Sequence, residues 1–181
     1  MKLENESSES HETTRHTGQL IKNQMEKSPL KVSHLASIMG YKREQTINDN
    51  YGKSNMNTGK FTRFCLALDS NLFETFVAKQ FRDDENDVLI SKFIDLSLIT
   101  NEFSIGKIIK FHLDGTGKTR KTMAETLPLT ERGIEKVCEK KTINTELLAR
   151  ISKYVNFNLF LYLFVYVRNL LREKNLNSWT F

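Results

Sequence analysis

Apolar residues recur at helical spacing along most of the chain. In its C-terminal part, Ile105, Ile108, Ile109 and Leu113 fall on one face of a predicted helix. A break is expected over 114–118, where two glycines interrupt the pattern. Thr119 suits a helix N-cap, and Thr122 with Glu125 offers a second, capping-box start. The short helix that follows turns Met123, Ala124 and Leu127 inward. It ends at Pro128, because the residue before a proline avoids the α region. Thr130 caps another helix, with Ile134, Val137 and Cys138 inward. After a turn over 141–144, Leu147, Leu148, Ile151 and Val155 define a fourth helix, and 156–158 opens a last element. The N-terminal part follows the same order, with Gly40 in the place of Pro128.

The likeness of the two parts extends to residue identities. GQLIK begins at Gly18 and GKIIK at Gly106, 88 positions on. At that offset Met25 meets Leu113, Leu35-Ala36 meets Met123-Ala124, and Met39 meets Leu127. One extra residue near 42–44 shortens the offset to 87. Ile47 then meets Ile134, Asn57-Thr58 meets Asn144-Thr145, Arg63 meets Arg150, and Asn71-Leu72-Phe73 meets Asn158-Leu159-Phe160. Such colinearity marks an internal repeat of two homologous units, 15–78 and 102–165. A unit this small buries only about 60% of its extended surface, so packing of the two copies together is expected. Between them, 81–87 reads FRDDEND, and Val88, Leu89, Phe93, Leu96 and Ile99 recur at helical spacing. The linker over 79–101 is therefore expected to carry a bridging helix within 88–103. The expected fold is all-α: two tandem small helical bundles joined by a linker helix.

The ends differ from the body. Residues 1–14 are Ser-rich, carry a net charge of −3, and read as a disordered acidic arm, neither a signal peptide nor an anchor. The run LFLYLFVYV over 159–167 is the most apolar stretch. It is shorter than the roughly 20 residues a membrane span needs, and Arg168 and Arg172 follow it. Continued as a helix, it aligns Leu159, Leu163, Tyr166, Val167, Leu170 and Leu171 in one stripe. Two readings stand side by side. The stripe is the last core helix of the second unit, or with the extension over 166–181 it is the dimerisation surface of a homodimer.

Composition narrows the function. With two prolines and eight glycines among 181 residues, helices are the expected majority. The net charge is +5, so the chain beyond the arm holds +8. A basic body points to a polyanionic partner. Two distant cysteines argue against a disulfide framework and for a reducing, cytoplasmic setting. His11, His16, His34 and His112 lie at no structural-zinc spacing. The carboxylates fall in helical charge patterns, and no catalytic constellation is visible. DGTGKTRK, at 114–121, contains the letters of a nucleotide-binding loop. The full pattern needs a glycine at 112, where His112 stands, and a preceding strand where the spacing is helical. No enzymatic activity, cofactor, metal, membrane association or small-molecule substrate is expected.

Two stretches carry a family pattern: KVSHLASIMGYKREQTINDNY, from Lys31, and TRKTMAETLPLTERGIEKVCEKK, from Thr119. An apolar residue is followed by Ala in one helix. Then come a turn, an apolar residue, and an apolar position in the next helix. Leu35-Ala36, Gly40-Tyr41 and Ile47 fit it in the first copy; Met123-Ala124, Leu129-Thr130 and Ile134 fit it in the second. TINTELLARISKYVNFNLF, from Thr142, matches the closing helices of such domains. The chain thus resembles the lambda-repressor-like (xenobiotic response element) helix-turn-helix family, in two tandem copies. It departs from it by the extra residue of the first copy, by Pro128 in place of the usual glycine, and by Gly133 near the start of the second recognition helix.

The resemblance implies a sequence-specific, nucleoid-associated transcriptional regulator whose partner is double-stranded DNA. In the second copy Lys118, Thr119, Arg120 and Lys121 would clamp backbone phosphate. Thr130 would head the recognition helix, and Arg132, Lys136 and Lys140 would enter the major groove. In the first copy Lys31 and Ser33 would hold phosphate, Arg43, Gln45 and Asn48 would read bases, and Lys53 would extend the stripe. Arginine pairs with guanine, and glutamine or asparagine with adenine. The windows 27–53 and 115–141 each carry +3. An acidic stripe, Glu131, Glu135 and Glu139, runs beside the basic one. It keeps open the alternative of a degenerate fold that serves protein–protein interaction or oligomerisation without DNA readout.

Overall fold

The computed structural model describes residues 16–84, 88–100 and 102–178; the expected acidic arm over 1–14 lies outside them. The chain is all-α. Helices α1 (Thr17–Lys27), α2 (Val32–Ile38), α3 (Gln45–Tyr51) and α4 (Thr58–Ala67) lead into a 3-10 turn at Leu72–Phe76 and the single turn α5 (Lys79–Arg82). Two more 3-10 turns follow, at Ile90–Lys92 and Leu96–Leu98. Then come α6 (Ile105–Thr116), α7 (Arg120–Thr126), α8 (Glu131–Glu139), α9 (Thr145–Val155) and the long α10 (Phe160–Ser178).

Equivalent residues of the repeat make equivalent bonds. Gly18 N donates to Lys53 O at 2.9 Å, and Gly106 N to Lys140 O at 3.0 Å. Both glycines are required by close approach. A Cβ on Gly18 would lie 2.1 Å from Asn50 O, and one on Gly106 2.4 Å from Cys138 O. In each half the chain leaving the third helix is thereby pressed against the start of the first. The Arg63 guanidinium donates to Met39 O at 2.7 Å, and that of Arg150 to Leu127 O at 2.9 Å. These two arginines tie the fourth helix to the turn between the second and third. Tyr41 N donates to Ala36 O and Leu129 N to Ala124 O, closing the same turn. Gly40 takes a left-handed φ of 72° there, while Pro128, its counterpart, is bent to φ 26°. Proline's ring favours φ near about −65°, so the second turn is strained where the first is relaxed.

The two halves meet at equivalent residues. Asn57 and Asn144 face each other in an isolated antiparallel β-bridge. Thr58 N donates to Ile143 O (2.7 Å) and Thr145 N to Met56 O (2.8 Å). Met56 N donates to Thr145 Oγ1 (3.1 Å) and Ile143 N to Thr58 Oγ1 (3.2 Å). Asn57 Nδ2 donates to Thr142 Oγ1 (3.1 Å) and Asn144 Nδ2 to Asn55 Oδ1 (2.8 Å). The side-chain oxygen of each asparagine also caps the helix that follows, Asn57 on Gly59 N and Asn144 on Glu146 N.

A contiguous apolar core runs from Ile21 to Val167 and joins both halves. Residues 159–165 and Val167 are all buried. They are covered from within the chain. Phe160 stacks on Phe76 at 4.6 Å, Asn71 Nδ2 donates to Phe164 O, and Lys174 reaches Leu66 O and Asp69 on the edge of α4. Burial of each such side chain is worth about 1.5–3 kcal/mol. The first half of the same chain supplies the cover that the second unit alone does not, so burial of this run calls for no second chain.

Three local expectations are corrected. The bridging helix within 88–103 does not form; the segment makes two 3-10 turns, with Ile90 and Ile94 buried and Val88 and Phe93 exposed. Asp84 accepts from Ile90 N and Asp95 from Ser97 N. Short carboxylate side chains thus take backbone donors that a helix would use. The break over 114–118 starts later, because α6 continues through Thr116 and ends at Gly117 in the left-handed conformation. Gly115 weakens a helix by only about 1 kcal/mol, and the true stop is the left-handed cap two residues on. Thr122 starts no second helix: its hydroxyl donates to Thr119 O inside α7.

Candidate nucleic-acid interface

Helices α7 and α8 form the better-defined surface. Met123, Ala124, Leu127, Ile134 and Val137 are buried and hold the pair against the core. Thr119 Oγ1 accepts from Thr122 N at 3.2 Å and Thr130 Oγ1 from Gly133 N at 3.0 Å, so both helices start on a side-chain cap. The Arg150 bond to Leu127 O fixes the turn between them. Anchored this way, α8 exposes Glu131, Arg132, Glu135, Lys136 and Glu139. Arg120 reaches across from α7 to Glu135 at 2.9 Å. Both partners are about half exposed, so the pair adds at most about 1 kcal/mol to stability. Its consequence is electrostatic: the middle carboxylate of the acidic stripe is neutralised, beside exposed Lys121, Arg132 and Lys136.

The N-terminal surface is built differently. Neither α2 nor α3 has a side-chain cap; Lys31 and Glu44 occupy those places. Ile47 and Asn50 are buried on the inner side of α3. Asn50 is satisfied by donating to Thr46 O and accepting from Lys60 Nζ at 2.8 Å, with that ammonium 5.6 Å from the Tyr41 ring centre. Outward, Gln45 Nε2 donates to Asp49 Oδ1 at 2.7 Å, and Asn48 stands exposed. Arg43 lies in the turn ahead of α3, exposed, its carbonyl accepting from Thr46 N. Lys31 and Ser33 are exposed at the start of α2.

Several expected site residues are placed elsewhere than the spacing implied. Lys53 and Lys140 do not extend the stripes of α3 and α8. Both lie past the helix ends, and their carbonyls accept from Gly18 N and Gly106 N. The i,i+4 rhythm runs on in sequence after the backbone has left the helix. Lys118 turns back from the head of α7. Its ammonium donates to Tyr154 O and sits 4.7 Å from the Tyr154 ring centre. It is exposed, but its ammonium anchors the turn before α7. The oxygens of Thr119 and Thr130 are engaged as caps. The surface that remains together is Arg120, Lys121, Arg132 and Lys136 on one half, and Lys31, Ser33, Arg43, Gln45 and Asn48 on the other.

Sequence reasoning passed over Arg63, Arg150 and Tyr154. The arginines had a signal, since they are identical at equivalent positions. Tyr154, whose hydroxyl lies 2.7 Å from Thr122 Oγ1, had none. Burial raises the thiol of Cys65 to about 12 and that of Cys138 in the same direction, so neither is poised as a nucleophile. Among the described residues no three His, Cys, Asp or Glu side chains gather to hold a metal, and no helix is long and apolar enough to cross a membrane. No protein-family model, curated protein or solved structure matches the chain.

Proposed function

We propose that the chain is a sequence-specific DNA-binding transcriptional regulator with two helix-turn-helix units of lambda-repressor-like type, α2–α3 within 15–78 and α7–α8 within 102–165. One observation carries the reading. In both units an arginine from the following helix locks the turn, and the outward helix presents polar side chains on a rigid base. On α8 those side chains are Arg132 and Lys136, with Lys121 behind them and Glu135 neutralised by Arg120. Arginine and lysine match the acceptors of guanine in the major groove, and exposed lysines elsewhere meet phosphate.

A mobility-shift assay on random and genomic duplexes at two salt concentrations tests the reading. Binding that falls steeply with salt is expected, since phosphate contacts release counterions. Arg132→Ala should weaken binding to a selected sequence more than binding to random duplex; equal loss on both removes its base-reading role. A second reading is a protein-interaction module without DNA readout. It draws on Glu131 and Glu139 and on the Gln45–Asp49 bond, which occupies the amide that would read a base. Absence of binding even at low salt would favour it.

A further inference from the structure

We infer that one chain takes one duplex bearing an imperfect inverted repeat, its two halves acting as the two subunits of a dimer would. The inference rests on the DNA-binding reading and adds orientation, stoichiometry and inequality of the half-sites to it.

Orientation comes from the joint between the halves. Six hydrogen bonds at the bridge occur as three exchanged pairs, in which a residue of the first half donates to the second and its counterpart donates back; the Asn55–Glu146 bond alone there has no return. Asn57 and Asn144, directly opposite in an antiparallel bridge, are themselves counterparts. Elsewhere in the joint the counterparts Asn71 and Asn158 both donate across it, Asn71 Nδ2 to Phe164 O and Asn158 Nδ2 to Phe76 O, one residue short of the strict counterpart, both at 2.7 Å. Reciprocal contacts of this kind arise from a twofold axis; a head-to-tail arrangement gives one-way contacts. A pseudo-twofold thus relates α3 to α8. A twofold protein matches an inverted repeat, not a direct one.

Chain length sets the spacing. Asn57 lies six positions after Tyr51, and Asn144 five positions after Glu139. At no more than about 3.5 Å per residue, plus about 5.5 Å across the bridge, the C-terminal ends of α3 and α8 lie within about 45 Å. That admits half-sites one turn of duplex apart, about 34 Å.

Stoichiometry follows from burial. The apolar run of α10 is covered by the chain itself, and the exposed large apolar side chains among the described residues are Ile38, Val88, Phe93, Phe111 and Leu129. The pseudo-twofold already supplies two reading heads without a second copy.

The half-sites are unequal because counterparts on the two heads differ. Gln45 stands where the second half has Arg132, Asn48 where it has Glu135, and Asp49 where it has Lys136. The arm under α8 is expected to hold guanine opposite Arg132, and the arm under α3 adenine opposite Asn48.

The test is selection of duplexes from a random pool with the full chain, followed by sedimentation of the chain with a labelled selected duplex. The expected motif has two dissimilar, inverted arms about one turn apart, with one chain per duplex. Adding about five base pairs between the arms turns them to opposite faces and should weaken binding at least about tenfold. Asn48→Ala should relax preference in one arm and Arg132→Ala in the other. A direct repeat, a symmetric site with two chains, or indifference to the insertion overturns this inference and leaves DNA binding standing. Absence of any selected sequence, with no binding at low salt, overturns both.

Discussion

Helix α3 follows Glu44 with no side-chain cap and shows the solvent a Gln45–Asp49 hydrogen bond with no basic side chain in it. Its counterpart α8 begins on the Thr130 cap and shows Arg132, Lys136 and an ion-paired Glu135. Beneath these unlike faces the two halves repeat the same glycine contact, the same arginine-to-turn bond and the same bridging asparagine. The difference teaches where the repeat has been free to change. Positions that hold helices to one another stay matched, whereas positions that face outward diverge.

The comparison can be broken at its strongest point first. Gly18→Ala and Gly106→Ala each force a Cβ into backbone carbonyls, and each should lower stability by about 3 kcal/mol, read by urea unfolding. Losses of very different size would show that the first helix docks differently in the two halves. Next, Arg63→Ala and Arg150→Ala each remove a charge-assisted bond to the turn. Both side chains are largely exposed, so the expected loss is about 1.5 kcal/mol for either, measured the same way.

The halves should part company at the turn itself. Pro128→Gly relieves strain of about 1–3 kcal/mol but gives back about 0.4–1 kcal/mol of unfolded-state restriction. A net gain of about 1 kcal/mol is expected, seen as a higher melting temperature. Smallest is the cap. Thr130→Ala should cost about 1 kcal/mol, while Glu44→Ala, which removes no cap bond, should leave the melting temperature unchanged. An equal loss at Glu44 would mean that α3 is capped in a way the geometry does not show.

Much of this was legible in the sequence because the repeat supplies its own control. Thr119 and Thr130 announce their helices by residue type, and Ile105, Ile108, Ile109 and Leu113 announce α6 by spacing. The linker was misread because Val88, Leu89, Phe93, Leu96 and Ile99 satisfy a helical period that Asp84 and Asp95 override locally. Lys53 and Lys140 were misplaced because a sequence period does not register where the backbone ends its helix. The meeting of Asn57 with Asn144 was invisible for a different reason. It joins residues 87 apart through polar atoms, and no local pattern encodes such a partner.

That joint has a consequence for how the molecule is held together in dilute solution. If the halves were separate molecules, the closure of its polar bridge and of the apolar cover of α10 would depend on their concentration. The linker over 79–101 keeps them at an effective concentration on the order of millimolar, however few chains a cell holds. The closed form is then independent of expression level, and each newly made chain is a complete unit. The same near self-complementarity would join one chain's second half to another's second half, but the joint discriminates against that pairing. Asn55 donates to Glu146, and Asn144 donates back to Asn55. Pairing two second halves would put Thr142 where Asn55 stands, and Glu146 would lose its amide donor. The small departures from symmetry at the bridge thus keep the two unlike halves of one chain as each other's preferred partners.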